Sequence, residues 1–263
     1  MSPDYSHKVY FIGAGPGDAE LITVKGARLL HEADVVVYAG SLVDRELVRT
    51  HAPQARVYDS AGMTLEETTQ VLAEAVVAGQ RVVRLHTGDP AIYGAIQEQM
   101  AELDRLGIDY AVVPGVTSAF AAAAALRQEL TLPEVSQTVI ITRLPGKTPV
   151  PERERLAEIA KIGATLVIYL SVSMIEQVVA ELLQGAYTPA TPVAVVAKAS
   201  WPDEQTVEGT LADIAAKVRA AGIAKQALII VGDVLNARRE GLNAKSLLYD
   251  KEFSHEYRKG IVT

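Results

Sequence analysis

The sequence has no cysteine. Disulfides, thiolate metal sites, iron–sulfur ligation and a cysteine nucleophile are excluded together. The absence fits a reducing, cytoplasmic setting, where disulfides are rare. No apolar run approaches the ~18 residues of a membrane span. The first residues include Pro3, Asp4 and His7 and no apolar stretch, so no secretory signal is expected. Positive charge is in deficit: Lys and Arg number 25 against 32 Asp and Glu, a net charge of −7. A non-specific grip on nucleic acid needs a basic surface, so that class is excluded, although a local basic groove is not. What the chain does have is core. Of its 263 residues, 49% are hydrophobic and 22% charged, which suits one large domain or two modest ones and excludes wholesale disorder.

Along the first half, the pattern is strand, glycine turn, helix, repeated. Strands are expected at residues 8–12, 35–38, 81–86 and 110–113. Continuous β-branched runs such as 35–38 mark strands buried on both faces. Thr23 is placed to cap a helix over 24–33, and Thr64 with Glu67 forms a capping box for a helix that stops at Gly79. A further helix follows residues 87–90 and stops at Gly107, and an alanine-rich one runs over 118–126. The second half is mixed. Strands are expected at 138–142, 165–170, 193–198, 205–208 and 227–231, with helices at 152–162, 174–183 and 211–220. Trp201-Pro202-Asp203-Glu204 reads as a hairpin or wide turn. The expected architecture is therefore two α/β domains, each with a mainly parallel or mixed sheet flanked by helices. They span 1–118 and 119–263, with a polar tail from about residue 236.

Three strand-to-helix turns of the first half carry glycine: residues 13–18, 87–90 and 114–118. Open α/β folds bind ligands at that edge, and glycine lets backbone approach a ligand closely. A dinucleotide fails on inspection. The sixth position of its fingerprint is Asp18, Pro16 interrupts the loop, and strand 35–38 ends without an acidic residue for a ribose. A P-loop fails as well, because Ile141 stands where the first glycine belongs and Pro149 follows Thr148. No two histidines are spaced for a metal, and there is no G-x-S-x-G elbow, so no metal site is expected. His86 ends a strand beside a glycine turn, as a satisfied strand-end residue or a substrate contact. Asp89 can serve as an acid or base, or can bind backbone amides and shape its own turn.

In this order, the three turns resemble those of the tetrapyrrole (class III) S-adenosylmethionine-dependent methyltransferases. The carrying residues are Gly-Ala-Gly-Pro-Gly-Asp at 13–18, Gly-Asp-Pro at 88–90 and Pro-Gly-Val-Thr-Ser at 114–118. The resemblance continues through Tyr169-Leu170-Ser171, Glu208-Gly209-Thr210-Leu211 and residues 226–232. Tyr38-Ala39-Gly40-Ser41-Leu42-Val43 and the tail at 248–255 look like the branch that methylates ring carbon C11 of a corrin precursor. The uroporphyrinogen branch carries an acid where this chain has Ala39.

The resemblance implies S-adenosylmethionine as cofactor, S-adenosylhomocysteine as product, a cleft between the two domains that holds them, and a homodimer. Carried over by motif, the cofactor contacts are Pro16, Gly88, Asp89, Ile92, Thr117, Ser118, Leu170, Ala199 and Ala227. Many relatives have methionine at the position of Leu170, and Ala199 falls where they often have Asn-Gly-Thr. The substrate is expected to be an anionic tetrapyrrole with many carboxylates, which an acidic protein must meet with local arginines. Candidates for its contact are Ser41, Leu42, Arg45, Arg84 and Arg127. Arg84 leads because it shares a strand face with His86. Methyl transfer from a sulfonium needs placement more than acid–base help, so no catalytic side chain is assigned; Asp89 and His86 are the candidates for receiving a proton. The alternatives are a tetrapyrrole methylase acting at another carbon, on uroporphyrinogen III or precorrin-2 or -3, and a nucleotide-binding regulatory protein without turnover.

Overall fold

The computed structural model describes residues 8–40, 42–237 and 246–260. The chain divides into two compact units. One gathers the residues up to Ala121 together with Ala199–Asp203, and the other Ala122–Lys198 and the residues from Glu204 onward. The division falls inside the helix Ser118–Leu126. The return of five residues to the first unit has no counterpart in the sequence pattern.

The first unit is built on five parallel strands: β1 (Lys8–Gly13), β2 (Val35–Tyr38), β3 (Arg56–Asp59), β4 (Val82–His86) and β5 (Asp109–Val113). Their order across the sheet is β3-β2-β4-β1-β5. Tyr10, Ile12, Val36, Val83 and Leu85 face helices α1 (Val24–His31) and α2 (Arg45–His51). Val9, Phe11, Val35, Val37 and Val82 face α3 (Leu65–Val77) and α4 (Ile96–Arg105) on the other side. Apolar residues are needed on both faces, which explains the unbroken runs of β1 and β2. Neighbouring strands β1 and β4 thus send their helices to opposite faces. That is a switch point, where a crevice opens at the carboxyl ends of the strands. Strand β5 continues into α5 (Ser118–Leu126).

Local signals explain the helix ends. Gly26 N donates to the Thr23 hydroxyl, and both bonds of the Thr64–Glu67 capping box are made. Gly79 and Gly107 take the left-handed conformation that ends α3 and α4. Two features depart from expectation. Helix α4 starts only at Ile96, because Tyr93 and Ala95 have φ of 55° and 49° and hold the preceding stretch out of helical geometry. Helix α2 and strand β3 were not expected at all. Strand β3 is a four-residue edge strand with Arg56, Val57 and Asp59 exposed, so it leaves no apolar run.

The second unit holds β6 (Val139–Arg143), β7 (Thr165–Tyr169), β8 (Pro192–Ala197), β9 (Gln205–Thr210) and β10 (Ala227–Val231), ordered β6-β7-β10-β8-β9. Only β6 and β7 run parallel. Helices α6 (Leu156–Ile159), α7 (Ile175–Leu182) and α8 (Ile214–Ala220) share one core with the sheet through Leu156, Val178, Leu182 and Ile214. The single helix expected over 152–162 is broken, because Arg155 is extended, with ψ 145°. Strands β8 and β9 form the expected hairpin around residues 198–204. Residues 246–260 carry one short 3-10 turn, with Tyr249 and Tyr257 exposed. Among the described residues no helix is long and apolar enough to cross a membrane.

Candidate functional site

The three glycine turns leave the same edge of the first sheet and meet backbone against backbone. Ala14 N donates to His86 O at 2.7 Å, extending the β1–β4 register by one residue. Gly88 N donates to Gly15 O at 2.7 Å, and Gly15 N returns a bond to Gly88 O at 3.3 Å. Gly13 and Gly115 close on the same carbonyl: a Cβ on either would collide with Gly88 O. Gly15 and Gly88 have φ of 81° and 59°, which a side chain resists.

Asp89 binds them together. Its carboxylate accepts Ala91 N at 2.8 Å within its own turn and Gly115 N at 2.8 Å in the third turn. Of the two roles open to Asp89, the geometry supports the shaping one.

The Arg84 and His86 side chains do share a face, but it is the face covered by α3 and α4. Arg84 is 6% exposed. Its Nε donates to Gln99 Oε1 at 2.8 Å and its Nη1 to Val37 O at 3.2 Å. Burial lowers its pKa to about 10, so it stays charged. The expectation that Arg84 leads the carboxylate contacts is therefore corrected: its guanidinium is enclosed beneath Gln99 of α4. His86 is 4% exposed and stacks on Phe11 with ring centroids 6.0 Å apart. Its Nε2 has no hydrogen-bond partner among the described residues. Burial first, and the Arg84 charge second, push its pKa down to about 3. It is neutral at physiological pH and a poor proton acceptor.

The remaining candidates are spread over both units. In the first, Pro16, Gly88 and Thr117 are buried, and Asp89, Ile92 and Ser118 are half-buried. Ala199 is buried within the returning segment Ala199–Asp203. In the second, Leu170 is 61% exposed with φ 54°, and Ala227 is buried at the start of β10. Leu42, Arg45 and Arg127 are exposed, and Arg127 ends α5 with φ 51°. Ser41 lies outside the described residues.

Two features escaped the sequence reading. Asp59, at the end of β3, accepts Gly40 N at 3.1 Å and Ala61 N at 2.9 Å, and the Tyr38 hydroxyl at 3.4 Å. It shapes the turn after β2, and a Cβ on Gly40 would strike its carboxylate. Ser200 and Trp201 contact the first glycine turn. The missed strand β3 hid Asp59, and nothing local ties residues 200–201 to the turn at 13–18.

A doubly wound parallel sheet with glycine turns gathered at its switch point is the arrangement at which open α/β proteins bind small ligands. The chain belongs to the tetrapyrrole (corrin/porphyrin) methylases, whose family model matches residues 8–215. It is 58% identical over 256 residues to the cobalt-precorrin-4 C(11)-methyltransferase of Methanocaldococcus jannaschii, covering 97% of this chain and 98% of that one. It is similar to a solved cobalamin biosynthetic enzyme, cobalt precorrin-4 methyltransferase, with TM-score 0.86 and 51% identity over 89% of this chain and 99% of the other. A uroporphyrin-III C-methyltransferase from Thermus thermophilus, solved with S-adenosyl homocysteine, matches with TM-score 0.73 and 34% identity over 88% and 99%.

Replacing Asp89 by Ala frees the amides of Ala91 and Gly115, which should cost about 1–3 kcal/mol. Asp89→Asn keeps one accepting oxygen and should fall between. Urea melts of the three proteins check this, and equal midpoints would dismiss the stapling role. His86 generates a pH prediction. Unfolded, it takes a proton near its ordinary value of 6.5; folded, only near 3. Stability should therefore fall as pH drops from about 6.5 towards 3. The slope should be shallower in His86→Gln than in wild type, as measured by denaturation across that range.

Proposed function

We propose that the chain transfers a methyl group from S-adenosylmethionine to ring carbon C11 of precorrin-4, or of its cobalt form, in corrin biosynthesis. The observation that carries this reading is the end-to-end likeness to the archaeal cobalt-precorrin-4 C(11)-methyltransferase. The same reading carries a cytoplasmic homodimer.

The first unit fits the cofactor. Gly13 and Gly115 pack so closely on Gly88 O that neither could carry a Cβ, and Gly88 itself has φ 59°, so the three turns meet through main chain. A neutral nucleoside asks for main-chain contacts there, and the turns offer no fixed cation that a phosphate would need. Pro16, Gly88, Asp89, Ile92, Thr117, Ser118 and Ala199 are the residues that would hold it. When bound, S-adenosylmethionine supplies a methyl carbon already activated by a sulfonium.

The chain's part is then to position and to exclude water. Asp89 keeps the second and third turns in register through its two amides. Its carboxylate is committed there, and burial disfavours a charged His86, so the proton leaving the methylated ring is routed to water. The peptide dipoles of the turns are fixed before any ligand arrives, which spares reorganisation during the reaction. Arg45 and Arg127 are exposed and, among the described residues, form no ion pair. Both were expected beside Arg84 as contacts for substrate carboxylates, and they keep that role in this reading.

Incubation with methyl-labelled cofactor and precorrin-4, or its cobalt form, should yield one labelled methyl at C11, located by carbon NMR. Label in uroporphyrinogen III or precorrin-2, with none in precorrin-4, would replace this reading with another branch of the family. Arg45→Ala and Arg127→Ala should each raise KM for the tetrapyrrole about three- to ten-fold, the range of a partly exposed charged hydrogen bond. Cofactor affinity, measured by calorimetry, should not change.

A further inference from the structure

The first glycine turn is held in two different ways along its length. Ala14 and Gly15 are bonded to the second turn through His86 O and Gly88. Beyond Gly15 that support ends. Among the described residues, Pro16, Gly17 and Asp18 are met from outside the turn by Ser200 and Trp201, far along the sequence. The Trp201 indole Nε1 donates to Pro16 O at 2.9 Å. Asp18 N donates to Ser200 Oγ at 3.0 Å. The indole ring lies so close to Gly17 that a Cβ there would collide with Cδ1 and Nε1. Three successive residues of the turn are thus engaged by two residues of one loop.

That loop is held in an unfavourable backbone shape. Lys198 and Ser200 have φ of 49° and 70°, the left-handed region that non-glycine residues avoid. Such strain persists where the surroundings over-determine it, and it clusters at ligand-holding sites. The strained residues here flank Ala199 and lead directly into Trp201. Residues 199–203 also group with the first unit rather than with the hairpin that carries them.

We propose that Trp201 is a positioning residue for the cofactor: by holding Pro16 and Gly17 through its indole, it fixes the peptide groups that the first glycine turn presents. This rests on the reading that the turn at 13–18 holds S-adenosylmethionine. Trp201 is the only tryptophan of the chain. Its fluorescence therefore reports on this turn alone, and ligand uptake there should change it.

The test uses the full-length protein with S-adenosylhomocysteine as probe, followed by calorimetry and, in wild type, by tryptophan emission. Trp201→Phe keeps a ring against Gly17 and loses the N–H. It should fold with a wild-type circular dichroism spectrum and bind the probe about ten-fold more weakly, the worth of one hydrogen bond. In turnover, KM for S-adenosylmethionine should rise by a similar factor with kcat within two-fold. Trp201→Ala removes the packing too and should bind more weakly still; if it does not fold, Trp201→Phe decides alone. Affinity within two-fold of wild type in Trp201→Phe overturns the inference, as does a fall in kcat with KM unmoved. Wild-type protein that takes up no S-adenosylhomocysteine overturns the reading of the turn itself, and this inference with it.

Discussion

One carbonyl organises the site. Gly88 O is approached by both Gly13 and Gly115, which also lie against each other, and neither could carry a side chain there. The contact brings the ends of β1, β4 and β5 within reach of one another. It also explains why the dinucleotide fingerprint is absent. A pyrophosphate needs a helix N-terminus aimed at it, whereas here α1 begins at Val24, well past the turn. The first sheet has the doubly wound topology, but no α-helix begins at its first glycine turn.

Beneath this edge lies a buried polar layer of Arg84, Gln99 and His86. Gln99 Nε2 donates back to Ala95 O at 3.0 Å while its Oε1 takes Arg84, so the α4 start and the centre of the sheet are linked through one side chain. The link sits just where Tyr93 and Ala95 delay the helix. A buried guanidinium is costly unless its bonds are made, and two of them are. The layer therefore belongs to the architecture that sets the second turn. The groups nearest the turns that could titrate are either committed to amides, as Asp89 is, or kept neutral by burial, as His86 is. A reaction driven by a sulfonium asks for little proton chemistry, and the site offers little.

Much of this was legible in the sequence because it rested on local rules. The capping box at Thr64, the helix stops at Gly79 and Gly107, and the buried strand 35–38 follow from residue type and spacing alone. So did the gathering of the three glycine turns on one sheet edge, since parallel topology demands it. What was not legible depended on contacts remote in sequence. Strand β3 has no apolar run, because it is an edge strand paired only with β2 and of its four residues only Tyr58 packs against a core cluster; Asp59 was lost with it. The face shared by Arg84 and His86 was correctly inferred from alternation, but alternation does not say whether that face is open or covered. The covering residue, Gln99, is a polar position on an amphipathic helix, where burial is not expected.

The charge balance can now be placed on particular residues. In the first unit, Lys8 meets Asp109, Arg28 meets Glu32, Arg49 meets Glu46, Arg81 meets Asp34 and Arg105 meets Glu102. These surface pairs add little stability, but each removes a free cation from the surface. Arg56 stacks over Tyr58, and Arg84 is enclosed. Lys25 and Arg45 are left exposed and, among the described residues, in no ion pair; Arg45 stands just past the turn that follows β2, at the edge of the sheet where the three glycine turns leave it. Its charge reaches the Tyr38 phenol, whose pKa it lowers against the larger upward push of burial and Asp59. An acidic protein that meets a polycarboxylate gains specificity by muting cations elsewhere and leaving them unpaired at the ligand edge, because long-range attraction then acts on the orientation of approach. Asp59, by fixing Gly40, holds the turn that leads to Arg45.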